Sequence, residues 1–283
     1  MGISNMKSFK DKVAVITGAG SGIGRALAGQ LAAQGAKLAL SDVNEAGLRE
    51  TVEALGLDSE RVISKVFDVA DRNAVYTFAD EVMAHFDAAH LVINNAGVAL
   101  GASVEEMSYE DFEWLMGINF WGVVYGTKAF LPHLKAAGEG HIVNVSSVFG
   151  LIGVPTQSAY NAAKFAVRGF TESLRQELEI ENGGVSCTTV HPGGIKTNIA
   201  RNARMGSGME KITGTDADKA RRDFEKLFRT TPEEAARTIL KGVRANKRRV
   251  LIGSDALAID GMQRLLPTSY QRLMVAGQKL MRR

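Results

Sequence analysis

Tyr160 and Lys164 lie four residues apart in a stretch whose apolar residues repeat with the period of an α-helix. Side chains at this spacing share one helix face, so the lysine ammonium can lie beside the phenol. A free tyrosine has a pKa of about 10, and a nearby positive charge favours its phenolate form. We therefore predict that Tyr160 exchanges protons near neutral pH, the condition for efficient general acid and base catalysis.

A serine hydroxyl accompanies this pair. Ser147 follows the predicted strand 142–145, at the sheet edge where ligands bind in parallel α/β folds. From there it can hydrogen bond to the same substrate oxygen as Tyr160 and stabilise its developing charge. By itself, the spacing of Tyr160 and Lys164 is also typical of a packed ring beside a solvated lysine. Only the joint occurrence with Ser147 and a glycine turn favours catalysis over that alternative.

The glycine turn joins a predicted strand, 13–17, to a predicted helix, 23–34, and residues 17–24 read TGAGSGIG. Glycines permit a tight turn and a close approach of the backbone to a pyrophosphate, while a helix N-terminus offers free N–H groups. The spacing departs from the Gly-x-Gly-x-x-Gly fingerprint, so an ordinary strand-to-helix turn is the alternative. The turn residues that we predict to bind a dinucleotide are Gly18, Ser21, Gly22, Ile23 and Gly24.

Asp42 ends the second predicted strand, 20 residues after Gly22. A carboxylate at this place accepts hydrogen bonds from an adenosine ribose and repels a 2′-phosphate. Neither Ser21 nor Val43 is basic, so neither can pair with such a phosphate. The sequence therefore predicts NAD as the cofactor in preference to NADP, and a plain helix N-cap is the alternative role of Asp42.

The elements that must position these residues follow a regular rhythm, because short apolar runs alternate with longer stretches of helical period. Strands that are almost continuously apolar are typical of a parallel sheet buried on both faces. We predict an α/β fold of the doubly wound Rossmann type, with a mainly parallel seven-stranded sheet and helices on both faces. The predicted strands are 13–17, 37–41, 62–67, 91–94, 142–145, 185–190 and 250–252.

The rhythm breaks after residue 192. Residues from about 193 to 230 are polar and Gly-rich, which is typical of a substrate lid, and Met205 and Met209 within it are compatible with a bulky apolar substrate. The last stretch, about 255–283, has a net charge of +3 and apolar residues at helical spacing. This basic amphipathic extension can pack on the domain or across an oligomer interface, or make a weak contact with a membrane surface.

Composition excludes several classes of protein. The 283 residues are 45% hydrophobic and 23% charged, as in globular chains, and a net charge of +3 is too small to indicate a nucleic-acid partner. Cys187 is the single cysteine, which excludes an intrachain disulfide and a cysteine-based metal cluster, and the five histidines lack metal-ligand spacing. We predict a single catalytic domain spanning 1–283, no metal site and a cytoplasmic location.

Further motifs follow in order along the chain. Asp68 and Val69 follow the third predicted strand, residues 94–97 read NNAG, Asn119 lies in a predicted helix, and residues 192–197 read PGGIKT. Together with the glycine turn and the serine, tyrosine and lysine described above, this ordered series resembles the classical short-chain dehydrogenase/reductase family over most of the chain. The resemblance implies a small-molecule substrate and a homo-oligomer, a tetramer or a dimer.

The resemblance also implies an activity. It is that of an NAD-dependent oxidoreductase interconverting a secondary alcohol and a ketone by hydride transfer, with an apolar substrate of the steroid, fatty or terpenoid alcohol type. The Tyr-x-x-x-Lys spacing is similar to that of members acting on carbonyl and alcohol groups and differs from that of enoyl reductases. A protein that binds NAD(H) as a sensor, without turnover, is the alternative.

Roles for individual residues are implied by the same resemblance. The implied catalytic residues are Asn119, Ser147, Tyr160 and Lys164. Of these, Asn119 would hold a water that links Lys164 to solvent, and Lys164 would also bind the nicotinamide ribose. The other residues implied to contact the cofactor are Asp68 and Val69 at the adenine, Asn95 and Gly97 along the groove, and Pro192, Gly193, Ile195 and Thr197 towards the carboxamide.

Overall fold

Seven parallel strands form the central sheet of the computed structural model, which describes residues 6–206, 208–214, 219, 222 and 228–281. A second, two-stranded sheet pairs β5 with β8. The strands are β1 Val13–Thr17, β2 Lys37–Asp42, β3 Val62–Val66, β4 Leu91–Asn94, β5 Leu100–Gly101, β6 Gly140–Val145, β7 Val185–Pro192, β8 Arg204–Met205 and β9 Arg249–Ile252. The order in the central sheet is β3-β2-β1-β4-β6-β7-β9, so the predicted doubly wound α/β fold is confirmed.

Helices cover both faces of the sheet. They are α1 Gly22–Ala32, α2 Glu45–Leu55, α3 Arg72–Phe86, α4 Tyr109–Met116, α5 Gly122–Ala136, α6 Ser158–Glu181, α7 Met209–Thr213, α8 Pro232–Arg244, α9 Ser254–Leu265 and α10 Tyr270–Met281. None of these described helices is both long and apolar enough to cross a bilayer.

Alternate residues of the central strands supply two separate cores. Ala14 and Ile16 of β1 pack into the core beneath α1 and α8, whereas Val13 and Val15 pack into the core beneath α3, α5 and α6. Successive side chains of a strand point to opposite faces, and therefore a strand buried on both sides must be apolar throughout. The chain order reverses between β1 and β4, and a ligand crevice opens at the carboxyl ends of the strands at such a point.

The helix that is predicted to contain Asn119, residues 111–134, extends over residues 109–136 in the structure and is interrupted in the middle. A π-helical turn, Gly117–Trp121, separates α4 from α5 and contains Asn119. Single π turns within α-helices are frequent at functional sites, since they redirect a side chain out of the regular helical pattern.

Regular structure extends into the predicted lid. Arg204 and Met205 form β8, which pairs with Leu100 and Gly101. The Arg204 guanidinium lies 3.6 Å from the centre of the Trp114 ring and 2.9 Å from an Asp111 carboxylate oxygen. These contacts attach the first part of the segment to the residues after β4. Part of the predicted lid, residues 207, 215–218, 220–221 and 223–227, lies outside the described residues, so its boundaries stay a prediction.

Candidate active site

Ser147 and Tyr160 meet at the carboxyl end of β6. Ser147 is the N-cap of a short 3₁₀ helix, Val148–Gly150, and its Oγ accepts a hydrogen bond of 3.1 Å from the Phe149 N–H. The Ser147 side chain is close enough to the Tyr160 hydroxyl to lower the pKa of the phenol. The Phe149 ring meets the Tyr160 ring edge-on at 5.9 Å. The two hydroxyl groups predicted to contact one substrate oxygen are therefore adjacent.

The acidity of Tyr160 depends on its burial. Burial raises the pKa of the Tyr160 phenol to about 12, and the nearby Ser147 side chain only partly opposes this effect. The predicted proton exchange near neutrality relies also on the positive charge of a bound oxidised nicotinamide, so it stays a prediction. Desolvation of the phenolate outweighs the neighbouring ammonium, and a further positive charge at the site is needed to lower the pKa.

Lys164 lies one helical turn after Tyr160 and is buried. Its Nζ donates a 3.0 Å hydrogen bond to the carbonyl of Val145 and lies 5.6 Å from the centre of the Tyr160 ring. Burial lowers the pKa of Lys164 to about 8, so most of the population still carries a charge at neutral pH. The helix α6 thus holds a cation beside the phenol, as the spacing predicts.

Asn119 and Lys164 converge on Gly97. A Cβ atom on Gly97 would lie 3.2 Å from Oδ1 of Asn119, which is a tight contact, and 3.5 Å from Nζ of Lys164, which is ordinary van der Waals contact. The Asn119 amide accepts a 2.8 Å hydrogen bond from the Val98 N–H and donates one of 2.8 Å to the Val98 carbonyl. Its side chain therefore fixes the backbone after β4, and its role as a water holder stays a prediction.

The glycine turn is built without room for side chains. Gly18 and Gly22 have positive φ angles of 68° and 51°, which favour glycine. A Cβ on Gly24 would collide with the carbonyl of Gly18, and one on Gly22 would lie 2.9 Å from Cγ2 of Thr197. Among the described residues, Ser21 makes no side-chain cap at α1, and the first turn of α1 carries no acidic side chain. The free backbone N–H groups at the start of α1 fit a bound pyrophosphate, as expected for a dinucleotide site.

Asp42 is not the N-cap of the next helix. Asn44 occupies that position in α2, and its side chain accepts from the Gly47 N–H. Asp42 instead accepts hydrogen bonds of 2.8 Å from the N–H groups of Gly20 and Asn44. The carboxylate is thereby fixed against the glycine turn, where a ribose would lie according to the sequence prediction.

Arg25 is a residue that the sequence argument on cofactor choice missed. It lines a cavity of about 330 Å³ together with Gly20, Ser21 and Asn44. Its Nη2 donates to the carbonyls of Gly20 and Gly47 at 2.6 and 3.0 Å and to a Glu50 carboxylate oxygen at 3.0 Å. The sequence-based prediction of NAD considers a basic residue only at Ser21 and Val43. Arg25 lies one turn into α1 and is therefore not covered by that prediction.

The other residues predicted along the cofactor groove lie at three carboxyl-end loops. Asn95 donates from Nδ2 to the carbonyls of Thr17 and Gly18 at 3.0 and 3.1 Å, which ties the glycine turn to the end of β4. The Asp68 carboxylate accepts from the Ala70 N–H at 2.9 Å, and Val69 is buried. A Cβ on Gly122 would lie 2.8 Å from a Val69 methyl, so the helix and this loop are in close contact.

The segment after β7 is held by Asp255, for which the sequence predicts no role at the site. Pro192 ends β7, and the Gly193 N–H donates to the Ile252 carbonyl at 2.9 Å. Asp255 accepts a 2.7 Å hydrogen bond from the Gly194 N–H and fills the space where a Cβ on Gly193 would be. Ile195 is buried beyond this turn. Asp255 lies 61 residues away in sequence, and no local spacing marks this contact.

His191 is fully buried and reaches Ser147. Its Nδ1 lies 2.9 Å from the Ser147 carbonyl and must therefore carry the proton. Burial lowers the pKa of His191 to about 4, so the ring is neutral at physiological pH. The histidine supports the backbone beneath the serine.

Asn161 fixes the loop between Ser147 and Tyr160, and the sequence analysis did not identify it. Its Nδ2 donates to the carbonyls of Phe149 and Ile152 at 2.7 and 2.8 Å, and its Oδ1 accepts from the Val154 N–H at 3.0 Å. All three partners are backbone groups of the loop that carries the Phe149 ring onto Tyr160. Asn161 therefore joins this loop to α6 one residue after the phenol.

We expect Asn161→Ala to lower the free energy of unfolding by about 2–4 kcal/mol, because one buried and two partly buried backbone groups lose their partner. Thermal unfolding measured beside turnover checks this value. Asn73→Ala, an exposed asparagine on α3, is the matched control and should stay close to the unchanged protein. Equal stability of the two variants would contradict a bracing role for Asn161.

Comparisons with known proteins agree with this geometry. A family model described as short chain dehydrogenase matches residues 12–207. The protein named SadH of Mycobacterium tuberculosis (strain ATCC 25618 / H37Rv), described as an oxidoreductase, is 53% identical over 272 residues, covering 96% of this chain and 97% of that protein. The C alpha-dehydrogenase of Sphingobium sp. (strain NBRC 103272 / SYK-6) is 37% identical over 249 residues, covering 85% of this chain and 80% of its own length.

A solved structure is similar over nearly the whole chain. The short chain dehydrogenase/reductase from Burkholderia phymatum in complex with NAD matches with a TM-score of 0.82 at 32% identity, covering 91% of this chain and 94% of that chain.

Proposed function

The chain belongs to the short chain dehydrogenase family, and from this premise we propose that it interconverts a secondary alcohol and a ketone with NAD as hydride carrier. The observation that carries the proposal is the convergence of Ser147, Tyr160 and Lys164 at one sheet edge, where the Ser147 side chain is close enough to lower the pKa of the phenol and the Lys164 ammonium lies 5.6 Å from the ring centre. This is the arrangement that proton transfer at a carbonyl or alcohol oxygen requires.

The chain's own residues manage the proton. In alcohol oxidation Tyr160 removes the hydroxyl proton, and in ketone reduction it returns a proton to the same oxygen. Ser147 holds that oxygen by a hydrogen bond, which stabilises the charge that develops on it. Lys164 favours the phenolate through its positive charge. A bound oxidised NAD would supply the hydride acceptor for the carbinol carbon and a second positive charge at the site.

The surroundings of Tyr160 support an apolar substrate. Tyr160 packs against a cluster that includes Leu100, Leu115 and Ala163, and Phe149 covers its edge. A Cβ on Gly101 would lie 2.9 Å from the sulfur of Met209 and 3.1 Å from that of Met205, so both methionines of the predicted lid reach this side. Flexible thioethers adapt to bulky apolar ligands, which fits a steroid, fatty or terpenoid alcohol.

The cofactor preference rests on Asp42. Its carboxylate beside the glycine turn would repel a 2′-phosphate. The nearby guanidinium of Arg25 is already hydrogen bonded to two backbone carbonyls and to Glu50. We expect Asp42→Asn to lower kcat/KM with NAD by about tenfold to a hundredfold, the loss of a charge-assisted hydrogen bond, while kcat/KM with NADP rises.

Paired kinetics with NAD and NADP measure this change in preference. Asp80→Asn, an exposed aspartate on α3, removes the same charge far from the turn and should leave the ratio unchanged. A wild-type protein that already prefers NADP would contradict the proposed role of Asp42, and Arg25→Ala would then be expected to reverse that preference.

The direct test of the proposed function is an assay of the purified full chain with NAD and a panel of apolar secondary alcohols. We expect reduced nicotinamide to accumulate with at least one of them, and the corresponding ketone to be reduced in the reverse assay. Tight NAD binding without turnover on the whole panel would favour the alternative of a dinucleotide sensor and overturn the enzymatic proposal.

A further inference from the structure

Exposed apolar side chains concentrate on α9, α10 and the loop between them, which we call the terminal pair (residues 254–281). Leu265 is 82% exposed and Leu257 is 62% exposed, and three further large apolar residues of this short segment also face solvent. Those three are Leu266, Leu273 and Val275. A patch of this kind is typical of an interaction surface.

Helical geometry orders these residues on outward faces. On α9, Leu257, Arg264 and Leu265 are separated by seven and eight residues, so they form one stripe. On α10, Tyr270 and Gln278 are eight residues apart and lie on the inward face. Tyr270 accepts a 2.9 Å hydrogen bond from the Gly153 N–H, and Gln278 donates to the Thr213 carbonyl at 3.2 Å.

The outward face of α10 is basic and apolar. Arg272 and Lys279 are exposed on the side opposite Tyr270 and Gln278, and Leu273 and Val275 are exposed on the flanks of the helix. The inner side does not seal the core, because an apolar cavity of about 370 Å³ remains between α10 and the loop 153–155. The terminal pair is therefore attached by a few polar contacts, while its apolar side chains point outwards.

Both acidic groups of this segment have partners within the domain. Asp255 is exposed but accepts a hydrogen bond from the Gly194 N–H, and Asp260 is nine-tenths buried between Arg249 and Arg264, with N–O distances of 3.0 and 2.7 Å. The exposed leucine side chains therefore lie on a segment whose unpaired charges among the described residues, those of Arg272 and Lys279, are positive. Apolar side chains beside exposed bases are the chemistry that recognises an anionic lipid surface.

We infer that the terminal pair docks onto the headgroup region of an anionic bilayer. A second copy of the chain is the competing occupant, but a two-fold interface would set this basic surface against itself. A lipid surface instead complements both the charges and the leucines. The inference is independent of the proposed function, because none of these outward residues contacts the candidate active site.

Flotation of the full chain with vesicles tests the inference. We expect binding to phosphatidylcholine vesicles that contain phosphatidylglycerol, weaker binding to pure phosphatidylcholine, and loss of binding as salt rises. Leu265→Ser, and separately the double change Arg272→Glu and Lys279→Glu, should each weaken binding at least about tenfold. Turnover without vesicles should stay unchanged in both.

Matched controls separate the terminal pair from general surface effects. Ile180→Ser alters a side chain on α6 that is 84% exposed, nearly the same as Leu265. The reversal of two exposed bases elsewhere, Arg49→Glu with Lys128→Glu, is the charge control. Absence of binding to anionic vesicles, or equal loss in controls and variants, would overturn the inference. So would a drop in sedimenting mass of Leu265→Ser without vesicles, which would identify a second copy as the occupant.

Discussion

Tyr160→Phe lowers turnover by about 10²–10⁴-fold in the account given above, the range expected for the loss of a general acid and base. The ring, its edge-on contact with Phe149 and its apolar neighbours all remain, and only the hydroxyl beside Ser147 is lost. Dinucleotide affinity should therefore stay within about twofold of wild type, because the change removes a group that acts on the proton.

Steady-state kinetics together with calorimetric titration of NAD separate these two effects. Tyr76→Phe removes a hydroxyl from a tyrosine on α3 that is 41% exposed, and it should change neither quantity. A Tyr160→Phe protein that keeps most of its turnover would show that another group moves the proton.

Lys164→Met is the second change with a large expected effect. It keeps an unbranched side chain as far as Cε and removes the ammonium that lies 5.6 Å from the Tyr160 ring centre. Since burial already raises the pKa of the phenol to about 12, loss of the ammonium moves ionisation to still higher pH. We expect alcohol oxidation to fall by at least about a hundredfold at neutral pH, with the inflection of its pH profile shifted upwards.

Stability should respond to Lys164→Met in a way that a merely structural lysine would not. The pKa of Lys164 is lowered from 10.5 to about 8 by burial, so the unfolded chain binds this proton more tightly than the folded one. The contribution of Lys164 to the unfolding free energy therefore rises by about 3 kcal/mol between pH 8 and 10.5 and is lost again as the pH is lowered through that window. Burial raises the pKa of Cys187 to about 12, which acts in the opposite direction above pH 9 but is common to wild type and variant, so the difference between the two proteins reports Lys164.

The Lys164→Met variant cannot bind this proton, so its unfolding free energy should lack the contribution that Lys164 makes between pH 8 and 10.5. Its unfolding free energy at neutral pH should equal or exceed that of wild type, because no charge has to be buried. Denaturant unfolding at a series of pH values checks both statements. A marked loss of stability at neutral pH, with an unshifted kinetic inflection, would show that Lys164 holds the fold and does not tune the phenol.

The sequence predicts the fold well because its signal is local and repeated. Most strands of the central sheet contain a short apolar run, and β1 is buried on both faces, with two side chains in each core. Helix spacing likewise places Lys164 beside Tyr160 correctly, since four residues in one helix fix the geometry.

The features that the sequence does not predict depend on contacts between distant residues or on burial in the folded protein. Asp255 holds the turn after β7 from 61 residues away. Asn161 is invisible because its three hydrogen bonds go to backbone groups, whose positions depend on how the loop folds. The high pKa of Tyr160 is a consequence of burial, which spacing does not report. The π turn at Asn119 is also not encoded in a regular helical period.

Transfer of deuterium tests the central claim most directly. The full chain is incubated with NAD and an accepted secondary alcohol labelled with deuterium at the carbinol carbon, and the reduced cofactor is analysed by mass spectrometry. The account predicts that the reduced nicotinamide carries the deuterium and that the alcohol becomes the ketone in equal amount. Reduced cofactor without the label, or ketone formed without reduced cofactor, would contradict hydride transfer at this site.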